Sequence, residues 1–112
     1  MLEKTTFDNF ANLDIRVGRI IDIKVFPKAN KSAYKLWVDF GEEIGIKKSS
    51  AQITEKYSKP ELESKKVIAI INFEPLQIAD FTSEILVLGI YSEDGVVLLS
   101  PDKDVNIGEK VG

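Results

Sequence analysis

An all-β barrel carrying only short helices is the fold class this sequence predicts, and three observations predict it. Apolar residues fall in many short, β-branched runs bounded by loop signals, too short to favour helix. Bends coincide with glycine, which suits strands that must curve into closure. The chain has 112 residues, 44% of them hydrophobic and 29% charged, which is enough for one domain with a thin core. A single domain over 1–112 is therefore expected.

The elements follow in order. Thr6 to Asn12 reads as a short helix or turn capped by Thr6. Leu13 to Phe26 reads as one long strand, with Leu13, Ile15 and Val17 on one face and Ile21, Ile23 and Val25 continuing it. Arg19 falls at the same parity and breaks the pattern just after Gly18, so a bulge or sharp bend is expected there. Pro27 to Ser32 is a loop. Tyr34 to Phe40 alternates, with Tyr34, Leu36, Val38 and Phe40 on one face and Lys35, Trp37 and Asp39 on the other. Gly41 to Gly45 turns the chain into a third strand around Ile46 to Ser50. Thr54 to Ser58 suits one helical turn, and Pro60 acts as a stop or a new first helical position.

The fourth and fifth strands are the apolar runs 67–71 and 85–90, with a loop between them. Val96 to Leu99 supplies a last short strand after the Glu93-Asp94-Gly95 turn. Pattern alone places a five-stranded OB-fold barrel slightly ahead of an SH3-like barrel or a sandwich. Both apolar runs are apolar on both faces. One face fills the barrel and the other needs a cover, for which an isologous homodimer is the simplest solution.

Composition narrows the function. No histidine is present, which removes the commonest general base and metal ligand together. No cysteine is present, so there is no thiolate chemistry, and a reducing cytoplasm is the expected setting. No apolar run approaches the ~20 residues of a membrane span, and the N-terminus lacks the order of a signal peptide. Ser49 and Ser50 beside Lys48 do not make a nucleophile pair, because neighbouring strand residues face opposite ways. Glu42 and Glu43, adjacent in a turn, are no metal cage. The expectation is a binding protein, not an enzyme, with no cofactor and no metal.

The net charge of -3 hides an asymmetry: residues 16–66 carry a net +5 and residues 67–112 a net -6. Lys24, Lys28, Lys31 and Lys35 run from 24 to 35 without an acidic residue between them. They suit phosphate contacts, which give affinity and position rather than sequence reading; the same lysines would also serve as a solvated loop. Lys48, at the parity of Ser50, is favoured over Lys47 to join them. Trp37 on the polar face could stack on a base, cover a partner's apolar surface or pack beneath a loop. Asn72, Gln77, Ser83 and Glu84 cluster around one loop. Asn72, Gln77 and Ser83 offer donors for phosphate and 2′-OH groups, or local bonds that hold the loop.

Ordered motifs over Phe7 to Gly108 resemble the tRNA-binding domain family, small OB-fold modules that grip the outer corner of tRNA. They are Leu13-Asp-Ile-Arg-Val-Gly-Arg-Ile20, Phe26-Pro-Lys-Ala-Asn-Lys-Ser-Ala-Tyr-Lys-Leu36, Val38-Asp-Phe-Gly41 and Lys47-Lys-Ser-Ser-Ala-Gln-Ile-Thr54. Asn72-Phe73-x-Pro75-x-Gln77-Ile78 and Ser83-Glu84-Ile-Leu-Val-Leu-Gly89 complete the set. The last three look especially like the CsaA branch of export-related chaperones. The resemblance implies structure-specific tRNA binding by a homodimer, with Asn72 and Ser83 on or near the tRNA face. It also implies a rival role, holding unfolded or precursor polypeptides. Trp37, Phe73 and Leu76 would then line an apolar groove or interface. Leu76 stands where family members often carry a basic residue, and Ser32 where CsaA-like chains often carry proline. A third role, an accessory subunit delivering tRNA to a synthetase, has no extra domain or tail in the sequence to support it.

Overall fold

The longest strand organises the molecule. In a computed structural model describing residues 1–26 and 32–112, β1 (Ile15–Val25) lies at the centre of a five-stranded antiparallel sheet. Its order is β3 (Ile46–Ala51), β2 (Tyr34–Asp39), β1, β4 (Lys66–Ile70) and β7 (Leu86–Val87). The first half of β1 pairs with β4 and the second half with β2. The sheet curls until its ends meet: the Glu84 N–H donates to the Lys48 carbonyl at 2.8 Å, and Ser49 Oγ to the Ile85 carbonyl at 3.3 Å. The result is the nearly closed five-stranded OB-type barrel that the sequence predicts.

Barrel closure explains the interior. Ile20, Leu36, Val38, Phe40, Val67 and Ala69 form the heart of one apolar core. The strict alternation of β2 appears as expected, with Leu36, Val38 and Phe40 buried. Gly18 faces this interior, where a Cβ would lie 2.5 Å from Val38 Cγ1 and 2.7 Å from Phe40 Cε1. Only glycine fits there.

That constraint moves the bulge. The register shifts between Ile20 and Asp22, so Ile21 is the extra residue, rather than Arg19. Gly18 and Ile20 both point inward and Arg19 outward. The expected shared face of Ile21, Ile23 and Val25 holds only in part. Ile23 and Val25 stay on one face, opposite Leu36 and Tyr34, with Val25 57% exposed at the strand's end, whereas Ile21, 47% exposed, leaves it at the bulge.

Two further corrections concern the last third of the chain. The segment between the apolar runs is no plain loop but a hairpin, β5 (Leu76–Ile78) and β6 (Phe81–Ser83), turning at Ala79-Asp80. The run 85–90 is not one strand. It gives β7 and then β8 (Gly89–Ser92), which pairs with β9 (Gly95–Leu98) as a separate hairpin. Residues 108–111 add a rung the sequence does not advertise. The Gly108 N–H donates to the Val17 carbonyl at 2.7 Å and the Val111 N–H to the Ile15 carbonyl at 2.8 Å.

The helices are short. In α1 (Phe7–Ala11) no residue is buried, and Phe7 is 75% exposed. In α2 (Lys59–Leu62) Ser58 and Glu61 form a capping box, and Leu62 enters the core. The outer face of β1 and β4 is partly covered within the chain, since Ile15, Val17 and Ile70 are buried. Leu86 and Ile90 remain exposed.

Candidate nucleic-acid interface

Register places the outward residues of β1, β2 and β3 in rows. Lys24 lies opposite Lys35, and Lys35 opposite Ser50; Asp22 lies opposite Trp37, and Trp37 opposite Lys48. Directly opposed residues share a face, so Lys24, Lys35, Trp37 and Lys48 are neighbours. The expectation for Lys48, with Lys47 on the other face, follows from the same register.

The β5–β6 hairpin folds over this face. Phe81 packs edge-on against Phe26, ring centroids 5.5 Å apart, and against Trp37 at 5.8 Å. Ala33 and Ile78 complete a small apolar cluster separate from the barrel core. The lysines lie across these rings. Lys35 Nζ is 4.8 Å from the Phe26 centroid and 5.3 Å from that of Phe81. Lys48 Nζ is 5.3 Å from the Phe81 centroid, and Lys24 Nζ is 5.3 Å from that of Trp37. These are all the cation–π contacts among the described residues, and they fall in one patch. None of these lysines has an ion-pair partner among those residues. Their stems and charges rest on aromatic faces, leaving N–H donors free to meet anions.

The other predicted residues separate into groups. Lys28 and Lys31 lie outside the described residues. Asn72 is committed to the chain: its Oδ1 accepts the Asp14 N–H and its Nδ2 donates to the Asn12 carbonyl, each at 2.8 Å. It ties the segment after α1 to the end of β4. Ser83 is buried, accepting the Ser50 N–H at 3.1 Å and donating to the Ile85 carbonyl at 3.4 Å. Gln77 braces the hairpin, its Nε2 donating to the Ala79 carbonyl at 2.9 Å and its Oε1 accepting the Thr82 hydroxyl at 2.6 Å. Glu84 accepts the Lys48 N–H at 3.0 Å.

Phe73 and Leu76 meet in a different feature. With Ser50, Ile78, Ile85 and Leu86 they line a mostly apolar cleft of about 390 Å³ beside the lysine patch. Trp37 is not part of it; half-buried, it packs against the hairpin through Phe81. Sequence reading did not single out Phe26 or Phe81 for the site. The signal for Phe81 was its place one turn beyond Ile78 in an unrecognised hairpin. Among the described residues no group of histidine, cysteine, aspartate and glutamate is arranged to hold a metal.

Residues 15–110 match the family model described as "Putative tRNA binding domain". The methionine–tRNA ligase of Pyrococcus horikoshii is 40% identical over 111 residues, which is 98% of this chain and 15% of that protein. The methionine–tRNA ligase of Nanoarchaeum equitans is 39% identical over 103 residues, 92% of this chain and 13% of that protein. The chain thus spans about 15% of the length of the ligases it matches. Among solved structures, the CsaA chaperone protein of Picrophilus torridus superposes with a TM-score of 0.93 at 51% identity, covering 97% of this chain and 100% of that one. The chaperone CsaA of Bacillus anthracis gives 0.91 at 39% identity, covering 98% and 100%.

Proposed function

We propose that this chain, which belongs to the tRNA-binding domain family, binds tRNA through backbone phosphates on the lysine–aromatic face. The observation that carries this reading is the convergence of Lys24, Lys35 and Lys48 over Phe26, Trp37 and Phe81. Ammonium groups held at one side by a ring face keep their remaining donors for phosphate oxygens. The rings themselves are poor base platforms, since the lysines cover them and Phe81 stands edge-on to both neighbours. Recognition then rests on the shape of the RNA backbone, with no covalent step. Lys28 and Lys31 extend the same cationic run in sequence. The test is tRNA binding measured over a range of salt. Lys35→Ala and Lys48→Ala should each weaken binding and each lower the salt slope by about 1. Unchanged binding for the double variant would refute the reading.

The cleft supports a second reading. Phe73 is 47% and Leu76 63% exposed beside it, which suits an extended apolar polypeptide. Protection of an unfolded client from aggregation, lost on Phe73→Ser, would support it. A homodimer belongs to both readings. Phe7, Leu86 and Ile90 leave apolar surface in the open, and sedimentation at micromolar concentration should show a species of twice the chain mass. The ligase matches also keep in view a role as a tRNA-holding part of a synthetase assembly, which a single added partner would reveal as tightened tRNA binding. No helix among the described residues is long and apolar enough to cross a membrane, and we place the protein in the cytoplasm with its RNA ligand.

A further inference from the structure

The outward face of the sheet carries a second cationic group. Register sets Lys66 opposite Arg19 and Arg19 opposite Asp39, so Arg19 continues the face that holds Trp37 and Lys35. From the Lys35 row to the Asp39 row is four residues, roughly 13 Å along the strand. At this end a cavity of about 280 Å³ is lined by Lys65, Lys66, Ser100, Pro101, Lys103 and Asp104. Its charges are unequal. Lys66 Nζ bonds Asp104 Oδ1 at 2.6 Å and also donates to the Val105 carbonyl. Lys65 and Lys103 have no ion-pair partner among the described residues. Arg19 lies close enough to act electrostatically on Asp104, and its guanidinium spends one donor on the Ser64 carbonyl at 3.1 Å. Lys66 and Arg19 thus act on Asp104, Lys65 and Lys103 share the cavity wall, and Asp39 faces Arg19 across the strand pair.

We infer that this cavity is a second phosphate-contact site, which a nucleic-acid backbone reaches after crossing the lysine–aromatic face. The inference rests on the RNA-binding reading above and extends its footprint along β1 and β2. A single isolated anion would need only one of these cations. A polyanion gains from all of them, because each neutralised phosphate releases counterions. About 13 Å of duplex axis presents roughly four phosphates of one strand, so one continuous backbone spans both groups. Asp104 is the internal competitor: it occupies Lys66 and lowers the cavity's pull on phosphate.

The experiment compares tRNA binding by the full chain and its variants across a salt series. Lys65→Ala/Lys103→Ala should weaken binding roughly three- to tenfold, as two exposed charge contacts would, and lower the salt slope by about 2. Lys65→Arg/Lys103→Arg should keep the slope. Asp104→Asn should tighten binding, a direction that general loss of structure would not produce. If the Lys65/Lys103 alanine pair leaves the slope unchanged while Lys35→Ala/Lys48→Ala lowers it, the second site is overturned and the first stands. If neither pair changes the slope, the RNA-binding reading itself fails. Inorganic phosphate binding at this cavity without any effect of the variants on tRNA would likewise overturn the inference.

Discussion

Phe81→Leu separates a ring that positions lysines from one that merely packs. Phe81 is 5% exposed and touches Phe26 and Trp37 edge-on, so the change removes two aromatic contacts worth roughly 0.5–1.5 kcal/mol each. It also trims a buried side chain without emptying its place. Phe81 belongs to the small outer cluster, not the barrel core, so the loss falls on the hairpin and the barrel stays folded. The functional effect is separate. Lys35 and Lys48 each lie 5.3 Å from the Phe81 centroid, and each loses a contact of about 0.5–1 kcal/mol. Freed side chains must be ordered again on binding, at about 0.5–1.5 kcal/mol each. Lys48 has no other ring contact among the described residues and carries this cost in full, whereas Lys35 keeps Phe26 at 4.8 Å. Affinity for tRNA should therefore fall by about 0.5–1.5 kcal/mol, or roughly two- to twelvefold. The salt slope should hold, because both ammonium groups still reach phosphate. Lys48→Met should instead lower the slope by about 1. Filter binding from low to high salt reads both quantities, and circular dichroism checks the fold. Undiminished affinity in a folded Phe81→Leu protein would refute the positioning role.

Three other outcomes follow from the same geometry. Ser83→Ala leaves the Ser50 N–H without its acceptor and should cost about 1–3 kcal/mol in urea unfolding, while tRNA affinity of the folded fraction stays as it was. Leu76→Arg puts a cation at the rim of the apolar cleft. It should tighten tRNA binding by on the order of 1 kcal/mol or less, whereas lost client protection with unaltered tRNA binding would favour the polypeptide reading. The Glu61 carboxyl is held below its usual range by the Ser58 N–H and then the Ser58 hydroxyl. Its folded value lies below its unfolded one, so the cap's contribution is present above the ordinary glutamate range and is lost as pH falls through the lowered folded value. Glu61→Ala should reduce the acid-side slope of stability, measured by thermal unfolding on either side of the ordinary glutamate value.

The sequence disclosed what period and parity can carry. The alternation from Tyr34 to Phe40 fixed which face of β2 is buried, and with it the outward Lys35 and Trp37. It could not place the bulge, because Arg19 breaks the pattern while the steric demand sits one residue earlier, at Gly18 against Val38 and Phe40. That demand comes from another strand and has no local signature. The hairpin of β5 and β6 was hidden for a related reason. Its strands are three residues each, too brief for a period to show, and its turn lacks the Asn-Gly type of signal. Missing the hairpin meant missing Phe81, the ring that Lys35 and Lys48 share, so the run could be read for phosphate contact but its aromatic support could not. Asn72 and Ser83 show the converse. Their residue types suit a ligand or a backbone equally well, and only the fold reveals Asn72 pinning Asp14 and Ser83 holding Ser50. In a barrel this thin, a side chain beside the site is often needed to close the sheet. The functional charge therefore rests on lysines, whose long stems reach outward past the residues that do the closing.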